Sequence, residues 1–563
     1  MNRKIAGSVA AAAMLALGAA ACGSSPGSSS SSSAKPLTIV TTPLSPFTQN
    51  FNPFLPSSTG YTMHVTNLIN QPLMVFNTQN SSAKPVPELA TGYSWSSDGT
   101  TLTVNLRSGV KWSDGKSFSS GDVAYTFNLL KNNQALNANW QVPISALQSA
   151  AASGANTVTL TFSQPEVANT YFILQAPIVA QHVWQSVSNP VTYQDSDPVG
   201  TGPFVLDHFS STDFTLKVNP NYYGKSTLKV SAINIPAYNA NANLQTPCSN
   251  GTIDWCGIGI QGVQQNYLSK SKSNSTWSTA SPFFTANNVV GLWFNVTKAP
   301  LNDPAVRQAI SFAINRQQLS TDGESGEEPP ITNTAGILPA YSSYLPASLA
   351  NTLNPNGDTT KAGQILQADG YSKVGGFWQK NGQKITFSIE VPSTYTDYYT
   401  DAQLLARQLQ AAGINASAKG DPGANGPTTW TNDLNSGNFD AAIHWGSQGL
   451  TPYYTYDNWF DSTGVTGKTA GFDYGRFNSP AAQAAFQAYA KASSPEALSQ
   501  AISTLANIEA TQVPVAPLMA GASWGEFSTR NYTGWPGSGN PYMDPGPNIP
   551  EILVVVQQLK PVS

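Results

Sequence analysis

The chain has 563 residues, with 27 Lys and Arg against 31 Asp and Glu, a formal charge of −4 and only 10% charged residues. A charge this low and slightly acidic, with no basic tract, excludes nucleic acid as a partner. The length excludes a single core and calls for about two or three domains.

At the N-terminus Asn2-Arg3-Lys4 is a short basic segment, residues 5–21 are apolar and Ala-rich, and Ala19-Ala20-Ala21 lead into Cys22. This is the layout of a secretory signal, too short and too weakly apolar for a transmembrane span. Cys22 stands where a bacterial lipoprotein signal places its acylated cysteine, although Ala19 replaces the usual Leu. Ordinary cleavage beside an incidental cysteine is the alternative. Residues 23–35 are mostly Ser, Gly and Pro and read as a flexible tether. With Cys22 lipidated, Cys248 and Cys256 remain as a pair that an oxidising compartment lets bridge. Two free buried thiols are the alternative, and no neighbouring His or third Cys argues for a metal site.

Leu37-Thr38-Ile39-Val40-Thr41 reads as a β-branched strand. Residues 93–107 read as a hairpin that turns at Ser97-Asp98-Gly99. After the turn Ser113-Asp114-Gly115, either Ser120 or Asp122 caps a helix that runs through Tyr125, Phe127 and Leu130. Strands are predicted at 158–162, 214–218 and 233–235. From residue 286 strands and helices alternate: a strand at 289–294, then a helix capped by Asp303 with Pro304 in its first turn and an apolar stripe of Val306, Ala309, Ile310, Ala313 and Ile314. Further helices are predicted at 360–369, 400–412, 480–492 and 495–512, and strands at 385–391 and 440–445. Two pattern regimes in one chain argue for an α/β protein of at least two lobes.

Four stretches, taken in order, resemble the family 5 extracellular solute-binding proteins, which include peptide, nickel and oligosaccharide binders. The first is Pro87-Glu88-Leu89-Ala90 with Trp95, Asp98-Gly99 and the run LTVNLRSGVKWSDGKSFSSGDVAYTF at 102–127. The second is Pro198-Val199-Gly200-Thr201-Gly202-Pro203-Phe204 with Asn219, Tyr222-Tyr223 and Gly224. The third is Gly251-Thr252-Ile253-Asp254, and the fourth runs from Pro300 to Arg316. The resemblance covers roughly residues 37–560. It implies an α/β, two-lobed fold like the periplasmic binding proteins (class II type) with an additional inserted domain. Domain I would be 36–75, 196–285 and 516–563, domain II the insert 76–195, and domain III 286–515. It also implies a monomer outside the cytoplasmic membrane, held by its lipid and delivering a solute to the permease subunits of an ABC importer, without cofactor or metal. A sensor that feeds a surface receptor would share the fold. Trp112 and Tyr125 are expected to be packing anchors, and Arg307 to pair with a carboxylate or with carbonyls near its helix.

Peptide binders of this family hold the peptide ammonium with an Asp a few residues beyond a strand-ending Trp. Here the loop after Trp445 carries Gln448 and Thr451 at the acidic positions. An unpaired buried ammonium is costly, so the change points away from free peptides unless Asp457 or Asp461 substitutes. The remaining loop side chains, among them Tyr453, Tyr454, Tyr456, Asn458 and Trp459, suit sugar rings and hydroxyls, and Trp524 fits the oligosaccharide-binding branch. The resemblance places Phe54 and Tyr61 at the cleft from the first lobe. A neutral oligosaccharide is therefore expected, with a peptide as the alternative. The expected ligand contacts are Trp445, Gln448, Thr451, Tyr453, Trp459, Trp524, Phe54 and Tyr61.

Catalytic motifs fail on inspection. Gly521-Ala522-Ser523-Trp524-Gly525 has nucleophile-elbow spacing, but that fold needs a His after the Ser and the last His is His444. Gly467-Lys468-Thr469 and Gly224-Lys225-Ser226 lack the earlier Gly of a phosphate loop. His64, His182, His208 and His444 are scattered, although His64 and His444 could share the cleft. No enzyme is expected.

Overall fold

The computed structural model describes residues 35–562 apart from Ser82, Ala138, Asn139, Ala424 and Ser493. Cys22 and nearly all of the tether lie outside the described residues. Three larger sheets organise the rest. The first has seven strands in the order Asn274–Ser275, Glu526–Ser528, Trp255–Cys256, Leu37–Val40, Ala232–Pro236, Asp213–Val218 and Phe204–Phe209. Leu37–Val40 runs parallel to both neighbours, and Leu37, Ile39 and Val40 are fully buried. Burial on both faces is what a continuous β-branched run provides. Cys256, in the next strand, is joined by a disulfide to Cys248 at the end of the helix Asn241–Ser249.

The second sheet has five strands: Asn415–Asp421, Thr386–Pro392, Ala441–Trp445, Ala286–Phe294 and Val515–Ala522. Val515–Ala522 pairs antiparallel with Ala286–Phe294, so position 516 falls inside a strand of this sheet. The helix Pro304–Ala313 starts where its sequence puts it, with Asp303 accepting the Ala305 N–H at 2.9 Å. Val306, Ala309 and Ile310 are buried, and the Arg307 guanidinium donates to the carbonyls of Leu301, Gln512 and Val513.

The third sheet has four antiparallel strands, Ala90–Trp95, Thr101–Leu106, Thr157–Phe162 and Leu147–Gly154, with the helix Ser120–Asn132 against it. That helix is capped by Ser119, not by Ser120 or Asp122. Ser119 is still extended, and Asp122 in the first turn accepts its backbone N–H at 2.8 Å and its hydroxyl at 3.1 Å. Trp112 is fully buried edge-on to Phe118. Gly200 and Gly202 are required by proximity: a Cβ would lie 1.9 Å from the Ile69 carbonyl oxygen at the first and 2.2 Å from that of Leu68 at the second.

The chain passes between the seven- and five-stranded sheets twice, through residues 276–285 and through Ser523–Gly525. At this junction Trp524 packs edge-on to Phe284, ring centroids 4.7 Å apart.

Candidate functional site: an aromatic cleft between two sheets

The strand Ala441–Trp445 ends in a pair of rings that the core does not absorb. Its first residues point into the sheet layers, but Trp445 keeps 37% of its surface exposed. His444 stacks on Trp445 with centroids 4.5 Å apart and on Trp430 at 4.9 Å. Tyr474 and Trp293 close on His444 at 5.3 and 5.2 Å. Tyr398, in the first turn of the helix Thr396–Ala412, lies nearly parallel to Trp445 at 6.3 Å, and Tyr395 just before that helix is 6.4 Å away.

The facing wall comes from the short helix Thr59–Thr62 and the residues just past its end. Tyr61 meets Trp140 edge-on at 6.1 Å and His64 at 6.3 Å. His64 has φ 52°, a left-handed conformation uncommon for a side-chain-bearing residue. Tyr474 of the opposite wall acts electrostatically on the Tyr61 phenol, so the two walls meet here.

Tyr61, His64, Tyr395, His444 and Tyr474 are enclosed by protein yet retain some solvent-accessible surface. These five residues form the candidate cleft lining. Burial pushes both His64 and His444 down to about 4, so both imidazoles are neutral at neutral pH. It pushes Tyr395 and Tyr474 up to about 12. Among the described residues, no Lys or Arg contributes to the shift of any of these five groups. The lining is therefore aromatic and without a cation, while the Asp397 carboxyl acts on the Tyr395 phenol and Glu328 accepts from the Tyr398 hydroxyl at 3.3 Å.

The expected contacts divide. Trp445 and Tyr61 line the cleft, and Trp524 is half-buried at the crossover. Phe54 is corrected: it is fully buried edge-on to Trp184, because its strictly apolar ring is worth most in the core. Trp459 is likewise fully buried. Thr451 is buried with its hydroxyl 3.1 Å from the Tyr489 hydroxyl, and Tyr453 stacks on Tyr489 at 3.7 Å. Gln448 holds a buried amide oxygen without a partner. Asp457 is engaged, accepting from Gln141 and, at 3.3 Å, from the Tyr453 hydroxyl. Burial and the neighbouring Asp461 raise it well above the carboxylate range, which does not suit an exchangeable ammonium anchor. Trp430, Tyr395, Tyr398, Tyr474 and Trp140 were missed, because no local pattern tells a ring that lines a cleft from one that fills a core.

Other chemistry is accounted for. Glu390, Asp421 and Asp433 form the one carboxylate group of metal-binding compactness among the described residues, but the Lys419 ammonium lies among them at 2.7, 3.9 and 3.4 Å. The Ser523 hydroxyl donates to Asp544, so it is occupied as a structural donor. Among the described residues no helix is long and apolar enough to cross a membrane.

Known proteins share this architecture. A periplasmic oligopeptide-binding protein of Thermotoga maritima, solved with mannohexaose, superposes with a TM-score of 0.84 at 24% identity, over 93% of this chain and 98% of that one. The oligopeptide-binding protein AppA of Bacillus subtilis, in complex with a nonapeptide, does so at 0.74 and 16%, over 94% and 100%. These likenesses show the fold: two lobes with an extra domain. In sequence the glutathione-binding protein GsiB of Salmonella typhi is 29% identical over 285 residues, 50% of this chain and 52% of that protein. Protein XP55 of Streptomyces lividans is 28% identical over 329 residues, 57% of each. The chain thus spans about half the length of the curated relatives it matches. Residues 84–467 match the description "Bacterial extracellular solute-binding proteins, family 5 Middle". The chain belongs to this family of extracellular solute-binding proteins, which are binding components and not enzymes.

Proposed function

We propose that the chain captures a neutral oligosaccharide between its two lobes outside the cell and hands it to the permease subunits of an ABC importer. Family membership supports the transport role. The observation that carries the ligand class is the aromatic, cation-free lining, with Trp445 presenting an open ring beside neutral His444 and Tyr61 on the opposite wall. Sugar rings offer apolar faces to such rings, and their hydroxyls need only neutral partners. A peptide's terminal carboxylate would be desolvated there without a cation to pair with.

Closure of one lobe on the other buries the ligand, and the crossovers at 276–285 and Ser523–Gly525 are the natural hinge. The three domains keep the bounds that the family resemblance implies, with the last boundary moved to follow Ala522. The chain acts as a monomer, tethered through a lipid on Cys22. Labelling with a fatty acid that is lost in C22A supports the tether, and a label retained in C22A refutes it.

The peptide reading is the alternative, favoured by the glutathione-binding relatives. The discriminating experiment is a thermal-shift panel of neutral di- to pentasaccharides, short peptides and glutathione. A ligand that binds only the folded state raises the melting temperature. A shift with saccharides alone supports the reading; a shift with peptides or glutathione alone overturns it.

A further inference from the structure

Beside the crossover, and next to the Tyr395 and Tyr398 rings of the cleft lining, four acidic side chains are buried together. Glu324 and Glu328 lie just past the one-turn π-helix Leu319–Gly323, and Asp397 and Asp401 stand one turn apart on the helix Thr396–Ala412. Both elements belong to the five-stranded sheet's side. The cover comes from the other side: residues 257–262 leave the seven-stranded sheet after Trp255–Cys256 and lie across the group. A Cβ on Gly259 would come within 2.4 Å of an Asp397 oxygen. The Gln261 amide donates to the Gly323 carbonyl at 2.9 Å, and the Gly262 N–H to the Ser325 hydroxyl at 3.0 Å.

The group is short of donors. Glu324 and Asp401 meet in a side-chain hydrogen bond that only a protonated carboxyl can supply, and among the described residues no other donor reaches the Asp401 oxygens, one oxygen of Glu324 or one of Glu328. The other Glu328 oxygen takes the Ala522 N–H at 2.9 Å and the Tyr398 hydroxyl at 3.3 Å, and one Asp397 oxygen takes the Tyr398 N–H at 3.0 Å. The titratable groups facing one another are these four acids, Tyr398 and Tyr395, and from the other side Glu526, raised well above the carboxylate range by burial, accepts the Ile258 N–H of the covering loop at 3.4 Å. Glu327, next in the chain, turns away to accept the Phe283 N–H at 2.7 Å. The covering residues 257–262 carry no titratable side chain, and among the described residues no Lys, Arg or His acts on the four acids.

We propose that the junction is a proton-linked latch: the covering loop seats on the five-stranded lobe only when carboxyls of Glu324, Glu328, Asp397 and Asp401 hold protons, so lobe closure takes up protons and opening releases them. This rests on the reading that the lobes move about the crossovers. A protonated carboxyl donates to its neighbour, which supplies the missing donors, whereas ionised carboxylates packed without a counter-ion repel one another and call for water. Burial first, and then the neighbouring acids, push Glu324 well above the ordinary carboxylate range. Burial does the same for Glu328 and Asp401, and it raises Asp397 to about 6. Groups raised in the closed state favour closure below their ordinary range and lose that contribution as pH rises through the closed-state value. Closure is therefore favoured by acid and opposed by alkali.

The test is small-angle X-ray scattering of the purified full chain without added ligand, from pH 5 to 9, on wild type and on E324Q/D401N. The amides cannot ionise and still donate. Wild type is expected to expand as pH rises, and the double variant to stay compact throughout. Equal expansion in both proteins overturns the latch while leaving lobe motion intact. A radius that never changes in wild type overturns the latch together with the moving-lobe reading. Infrared spectroscopy of wild type alone provides a check that does not depend on the variant folding. A protonated-carboxyl C=O band is expected at pH 7, shrinking as the chain opens at high pH, and its absence at pH 7 overturns the proposal.

Discussion

A Trp ring with 37% of its surface open, in a part of the molecule otherwise enclosed, has no reason of stability to be there. Trp445 is held in place from behind by His444, and His444 by Trp430, so the exposed face is presented rigidly. The W445A substitution should weaken the best-binding saccharide of the panel about 10-fold, the size expected when one stacked aromatic contact is lost, as read by calorimetric titration. Its melting temperature without ligand should change little. An unchanged affinity would remove Trp445 from the site. Trp445 was singled out by the family resemblance, which puts a strand-ending Trp just ahead of the ligand loop, and not by any local pattern. Phe54 and Trp459 were misplaced by the same logic, since an aromatic residue near a family cleft is just as well suited to core. The four acids at the junction left no trace in the sequence, because Glu324 and Asp401 are brought together only by the packing of a long helix on a π turn.

At the scale of elements, the segments that announce themselves carry their own end signals. Asp303-Pro304 starts a helix by supplying both a side-chain acceptor and a residue with no N–H to satisfy. D303A should therefore cost about 0.5–2 kcal/mol of stability, measured by denaturant unfolding. A loss well below this would mean that Pro304 alone is enough to start the helix. The helix predicted from residue 400 in fact begins at Thr396, because Tyr398 and Asp397 are buried by tertiary contacts that sequence periodicity does not show. The strand Asn415–Asp421 was invisible for a related reason: NASAKGD has weak β propensity, and it is a strand because Thr386–Pro392 pairs with it in parallel along its length. Parts of the four-stranded and seven-stranded sheets were legible in the hairpin at 93–107 and the β-branched runs at 37–41, 158–162, 214–218 and 233–235, whereas Leu147–Gly154, Phe204–Phe209, Trp255–Cys256, Asn274–Ser275 and Glu526–Ser528 were not. That Val515–Ala522 joins the five-stranded sheet was not, since pairing partners so distant in sequence leave no local mark.

For the molecule as a whole, buried acids far outnumber buried bases in setting how stability depends on pH. Burial raises Glu88, Asp195 and Glu551 to about 7 and Asp397 to about 6, and it also raises Glu509, Glu526, Asp457 and Asp473. Each group raised in the folded state contributes stability that is complete below its ordinary carboxylate value. That contribution is lost as pH climbs through the folded-state value, because only the folded chain then still holds the proton. His64 and His444 work the other way. Their values fall to about 4, so they favour the folded state above the usual histidine range and lose that contribution between it and about 4. Two imidazoles oppose at least eight carboxyls, and the carboxyl windows extend to neutrality. The melting temperature, followed by calorimetry, should therefore be higher at pH 5.5 than at pH 8, with the decline steepest below about pH 7, where only the folded chain holds these protons, and easing above it. The E324Q/D401N variant should keep most of that decline, since Glu88, Asp195 and Glu551 remain. A melting temperature that rises from pH 5.5 to 8 would mean that these acids are ionised in the folded chain and would count equally against protonated carboxyls at the junction.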